Sequence, residues 1–163
     1  MNRRESLRII TAALGGMAFD PSLAAAPGDR VDWTDVALLD GRRLPSAALT
    51  GRVVVVEIWA SWCPFCAQQN PLLQQLYDAQ RGHGLDVLTF SIDRDPAKAR
   101  AYMTRHRYTF PAAMATRQSE KWFGPRVGLP ETYVVDRDGR IVFKETREML
   151  ADDVRELARF AQS

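Results

Sequence analysis

The chain has 163 residues, 46% hydrophobic and 26% charged, which is enough for one domain with a proper core and hardly enough for two. A net charge of +2, with basic residues scattered along the chain, points away from nucleic acid as a partner. Two cysteines exclude a disulfide-stapled mini-protein.

Residues 1–24 read as an export signal. A basic start, MNRRESLR, precedes the apolar run IITAALGGMAF and the small residues of DPSLAAAP. The run is short of the roughly 20 residues that span a bilayer. Arg3-Arg4 resembles a twin-arginine signal, without the usual aromatic two residues after the pair, where Ser6 stands. Cleavage is expected between Ala24 and Ala25, with Ser22 and Ala24 at the −3 and −1 positions. The alternatives are an uncleaved N-terminal anchor, which would associate the protein with a membrane, or a frayed N-terminal helix. With export the expected location is periplasmic or extracytoplasmic, where disulfides persist.

Residues 25–30 read as a linker and 31–163 as the domain. DVALLDGRRL predicts a small hairpin turning at Asp40-Gly41. PSAALTG predicts a turn of helix closed by Gly51. RVVVVEIWA is a β-branched run, expected at the centre of a sheet covered on both faces. Residues 64–81 predict a helix with Leu72, Leu73, Leu76 and Tyr77 on one side and Pro71 inside it. LDVLTFSID is a second central strand. Asp95-Pro96 opens a helix, with Ala99, Tyr102, Met103 and His106 on one apolar-leaning face. FPAAMA suggests a short strand and RQSEKWF a short helix or turn. ETYVVD and RIVFKE predict a hairpin turning at Asp138-Gly139. A last helix places Leu150, Val154, Leu157, Ala158 and Ala161 on one face. Strands alternating with helices give an α/β layered fold.

Cys63-Pro64-Phe65-Cys66 falls where a buried strand ends and a helix starts. A three-residue offset puts both sulfurs on one face of the first turn. The unpaired N–H groups and partial positive charge of a helix N-terminus favour a thiolate, so the pKa of Cys63 should fall below the free value of about 8.5. Cys66, one turn inward, should be less exposed and suited to resolving a mixed disulfide. Trp59 and Trp62 flank the pair as candidate apolar contacts for a partner. Two other readings compete. A structural disulfide closing so small a loop gains little. Zinc needs about four ligands, and His83 and His106 lack the usual spacing.

WASWCPFC, with Pro71 five residues after the second cysteine, resembles the thioredoxin superfamily. GLPETYVVDRDGRIV at 128–142 resembles its second signature, a loop with a cis-proline followed by a strand and hairpin. The leading hairpin, the extra strand–helix segment at about 85–107 and the export signal resemble the TlpA/ResA/CcmG group of thiol:disulfide reductases. The resemblance covers about residues 31–162. It implies a thioredoxin-like fold, with a central mixed β-sheet flanked by helices, an N-terminal β-hairpin and an inserted strand–helix segment. It implies Pro130 as the cis-proline, the Leu129 backbone as the partner of an extended client segment, and Trp62, Pro64 and Phe65 as client contacts. The redox group would be the Cys63–Cys66 disulfide itself, with no other cofactor and no metal.

Glu57 stands six residues before Cys63, inside the apolar run. Burial should raise its pKa. The alternative is a solvated or salt-bridged glutamate at a strand edge. In thioredoxins this position often carries a buried acid, which implies that Glu57 takes the proton of Cys66. Many members of the group carry a glutamate three residues after the second cysteine, where this chain has Gln69.

The expected function is reduction of client disulfides, with a membrane-embedded thiol carrier as electron donor and a monomer as the working unit. PET at 130–132 resembles members serving cytochrome c assembly. A disulfide oxidase and a non-enzymatic copper- or client-binding assembly factor are the alternatives. A peroxiredoxin-type peroxidase is disfavoured, because Val56 and Ala60 stand where its motif needs Pro and Thr.

Overall fold

The computed structural model describes residues 25–162. The expected export signal over 1–24 lies outside them. The segment 25–30, expected as a linker, is tied to the domain. The Ala25 N–H donates to the Phe123 carbonyl at 3.4 Å and the Gly28 N–H to the Ile141 carbonyl at 2.7 Å.

A separate two-stranded sheet comes first: β1 (Val36–Ala37) pairs antiparallel with β2 (Arg43–Leu44) across the Asp40-Gly41 turn. Gly41 takes a φ of 88°, in the left-handed region that a residue with a Cβ disfavours. A single 3-10 turn, Ser46–Ala48, leads into the main sheet.

Five strands form that sheet in the order β5-β4-β3-β6-β7. β3 (Val53–Trp59) is central, as its β-branched run predicts, and every residue of it is buried. β4 (Leu85–Ser91) runs parallel to β3, and β5 (Ala112–Met114) runs parallel to β4 at one edge. β6 (Glu131–Val135) is antiparallel to β3, and β7 (Ile141–Glu145) antiparallel to β6. The sheet is therefore mixed.

Helices cover both faces. α1 (Pro64–Gln80) continues through Pro71 and buries Cys66, Gln69, Asn70, Leu73 and Leu76. With α4 (Ala151–Glu156) it encloses a cluster that contains Val53, Val55, Leu73, Leu76, Val87, Val154 and Leu157. Alternation along β3 sends Val54, Val56 and Ile58 to the opposite face. There they pack with Phe90, Tyr133, and the Trp122 and Phe123 side chains of α3 (Arg117–Phe123). α2 (Pro96–His106) starts as predicted: the Asp95 carboxylate accepts from the Ala97 N–H at 2.9 Å, with Pro96 in the first turn.

Three local expectations change. Leu150 is exposed rather than on the buried face of the last helix. It is the extended residue before α4, at φ −79° and ψ 171°, so it never joins the helical face. His106 is exposed at the end of α2, stacked on Tyr108 with ring centroids 5.4 Å apart. Trp59 is fully buried and offers no partner contact. It shares the face of β3 that α1 and α2 cover, and its indole N–H donates to Thr89 Oγ1 at 3.1 Å.

Candidate active site

β3 and β4 are parallel neighbours, so their C-terminal ends emerge at the same edge of the sheet. The loop after β3 carries Ser61, Trp62 and Cys63. The loop after β4 carries Asp93. Asp93 is buried and pins the first loop: Oδ2 accepts from the Ser61 N–H at 2.9 Å and Oδ1 from the Ser61 hydroxyl at 2.6 Å. The Ser91 hydroxyl donates to Oδ2 at 2.6 Å. Burial opposes ionisation of Asp93. The hydrogen bonds from Ser61 and Ser91, with the charge of Lys98, outweigh it and hold the carboxyl below its ordinary range.

Cys63 occupies the capping position of α1. Its Sγ accepts from the Cys66 N–H at 3.2 Å, and Pro64 follows in the first turn, where its missing N–H costs nothing. Cys63 and Cys66 are disulfide-bonded with their Cα atoms 5.3 Å apart. Cys63 is 4% exposed and Cys66 0%, so an incoming sulfur has access to the first sulfur before the second. The N-terminus of a 17-residue helix stabilises negative charge on Cys63 when the bond opens.

The proline loop lies against the same place. The Leu129–Pro130 bond is cis. Leu129 packs on the cluster formed by Trp59, Ala60, Cys63, Cys66, Ala99 and Tyr102. The loop is held from below by Glu131, fully buried, whose carboxylate accepts from the Val127 N–H at 2.7 Å and the Tyr133 hydroxyl at 3.2 Å. Trp62 is 65% exposed and Phe65 53%; Pro64 is exposed as well. Val127, which the sequence reading did not single out, is also exposed on the proline loop. Beside Trp62 is a surface cavity of about 480 Å³, lined by Ile92, Asp93, Arg94, Asp95 and Lys98 as well.

Glu57 lies in the middle of β3, between Thr89 of β4 and Thr132 of β6. It is fully buried, so the solvated or strand-edge alternative does not hold. Among the described residues no cation pairs with it. Desolvation pushes its pKa up to about 8, against a hydrogen bond from Gln69 that lowers it. Oε1 accepts from Gln69 Nε2 at 3.0 Å, and Oε2 has no hydrogen-bond partner among the described residues. Gln69 is itself buried. Its Nε2 also donates to Thr132 Oγ1 at 2.9 Å, and its Oε1 accepts from the Met149 N–H at 2.7 Å.

Of the residues expected from the sequence, the structure joins Cys63 and Cys66, packs Leu129 of the cis-proline loop against them, buries Glu57 in β3 and leaves Trp62, Pro64 and Phe65 exposed. Sequence reasoning treated Gln69 as a departure and did not see that it bonds Glu57. It also missed Asp93 and Glu131, which hold the two loops. Parallel pairing of β3 and β4 was the available signal for Asp93. Among the described residues no group of three or more His, Cys, Asp or Glu side chains converges as a metal site, and no helix is long and apolar enough to cross a membrane.

Comparison with known proteins gives a consistent picture. The Redoxin family matches residues 25–159. The thiol-disulfide oxidoreductase ResA of Geobacillus thermodenitrificans is 25% identical over 155 residues, which cover 92% of this chain and 88% of that protein. The thiol:disulfide interchange protein DsbE of Allochromatium vinosum is 32% identical over 97 residues, 59% of this chain and 52% of that one. The crystal structure of a thiol:disulfide interchange protein of the thioredoxin family from Chlorobium tepidum TLS has the same fold. Its TM-score is 0.75 at 22% identity, covering 86% of this chain and all of that one.

Proposed function

The chain belongs to the Redoxin family, and from that premise we propose that it is a thiol–disulfide oxidoreductase that reduces disulfides of client proteins outside the cytoplasm. The observation that carries this reading is the Cys63–Cys66 disulfide at the N-terminus of α1, one sulfur side reachable and the other closed. The oxidoreductase relatives support it.

The reduced protein begins with two thiols. Cys63 attacks as the thiolate, stabilised by the helix terminus and the Cys66 N–H. One client sulfur leaves as a thiolate and the other is bound to Cys63. Cys66 then gives its proton to the Glu57 carboxylate and attacks Cys63 Sγ. The second client sulfur leaves, and the Cys63–Cys66 bond forms. Two electrons have passed from the dithiol to the client, and Glu57 releases its proton to the medium or to the departing thiolate. The disulfide itself is the redox group. A membrane thiol carrier would return the electrons. The client lies along the Leu129–Pro130 loop, with Trp62, Pro64 and Phe65 as apolar contacts. The PET sequence at 130–132 favours cytochrome c assembly as the setting.

Cys66→Ala traps client mixed disulfides on Cys63, visible on non-reducing gels, while Cys63→Ala traps none. The reverse pattern would exchange the two roles. Tightly held copper in the purified protein, with no insulin reduction, would instead favour a metal-handling assembly factor.

A further inference from the structure

The amide of Gln69 has only one possible orientation. The Met149 backbone N–H, 2.7 Å away, must meet an acceptor, so the carbonyl oxygen of Gln69 faces it. The NH₂ group therefore points the other way. Its two hydrogens are both used, one on Glu57 Oε1 and one on Thr132 Oγ1. A carboxyl proton on Oε1 would collide with a donor hydrogen. Oε2, buried and without a partner among the described residues, is the oxygen left for it.

We propose that Gln69 is a positioning residue for proton transfer, holding Glu57 Oε1 as an acceptor so that the proton leaving Cys66 is received on Oε2. This rests on the proposed role of Glu57 as the proton acceptor. The identity of residue 69 then follows from the identity of residue 57. An ionised glutamate at 69, where many members of the resembling group carry a glutamate, has no hydrogen to offer Glu57. Facing the Met149 N–H, it would meet Glu57 oxygen to oxygen, and the two carboxyls would share one proton.

The other groups around Glu57 do not replace Gln69. On β4 and β6 the neighbours are the neutral Thr89 and Thr132. Tyr108 senses the charge of Glu57 only weakly, its own pKa being pushed up to about 12 by burial first, then by Tyr102, and last by Glu57. On β7, Glu145 stands in register with Thr132 and pairs with Arg147 at 3.3 Å. Glu148 beside Met149 is half-buried. On α1 the titratable groups at the end near Gln69 are Cys66 and, at the cap, Cys63; Tyr77 and Asp78 lie two turns or more further along, with Asp78 bonded to Gln74.

The test uses the reduced full chain and oxidised glutathione. Attack by Cys63 releases one glutathione thiol, and resolution by Cys66 releases the second. The rate of second release is followed against pH. In the wild type it rises with pH, with a midpoint near the Glu57 value of about 8. Gln69→Met removes the donor and Gln69→Glu adds a competing acid. Each moves the midpoint upward by about one pH unit or more, and slows second release at pH 7 about tenfold. Gln69→Glu, nearly isosteric, keeps the test open where Gln69→Met does not fold. Wild-type midpoints in the folded Gln69 variants, with a profile flattened by Glu57→Gln, overturn the role of Gln69 alone. An unchanged profile in Glu57→Gln overturns the role of Glu57 and this inference with it.

Discussion

Glu57 in the middle of β3 and Asp93 after β4 are both buried acids, yet their proton affinities move in opposite directions. Burial penalises the charged form of each. Asp93 receives the Ser61 N–H and two hydroxyls and senses Lys98. Glu57 receives one amide N–H, and its second oxygen receives nothing among the described residues. Depth of burial and the number of donors together decide which acid stays charged: Glu57 is the deeper and has fewer donors. The charged one serves as a fastener, and the one that holds its proton near neutral pH is suited to exchange it.

This contrast is open to direct attack, first through stability. The folded pKa of Glu57 is raised from 4.5 to about 8, so the unfolded chain releases this proton at lower pH than the folded one. Folding stability therefore falls as pH rises between those values, by about 5 kcal/mol at most. Glu57→Gln abolishes that decline and makes the protein more stable than wild type at pH 8.5, as read from urea midpoints. A decline that persists in Glu57→Gln would mean another group causes it. Asp93 has the opposite sign. Its pKa lies below 3.8, so its contribution is present above that pH and is lost as pH falls through the folded value. For these two groups alone, stability peaks between about pH 4 and pH 5.

Asp93→Ala should cost about 2–3 kcal/mol at pH 7, because it orphans the Ser61 N–H and two hydroxyls. It should slow exchange through the loosened Trp62–Cys63 loop while leaving the pH midpoint of resolution in place. A moved midpoint would make Asp93 a participant in proton transfer and dissolve the distinction. The smallest stability effects belong to the exposed rim. Trp62→Ala and Phe65→Ala should change stability by no more than about 0.5 kcal/mol and raise the KM for a protein client. An unchanged KM would remove these side chains from client binding.

Much of this was legible in the sequence because it depends on short-range signals. The β-branched run around Glu57 announces a central strand, and a central strand buries its side chains on both faces. Cys63, Pro64 and Cys66 announce a helix start by their chemistry. Gln69 was not legible, because its three partners come from β3, β6 and the segment before α4, and meet only when α1 lies across the sheet. Asp93 depends on a long-range pairing of strand ends. Trp59 was a missed opportunity: it ends the same central strand as Glu57, and a strand covered on both faces buries the indole as it buries the acid.

The reduction potential of the Cys63/Cys66 couple, measured in glutathione buffers, tests the central claim that this dithiol gives electrons to clients. A value near thioredoxin's, about −270 mV, is the predicted result. A value near −120 mV would make the protein an oxidant and contradict it.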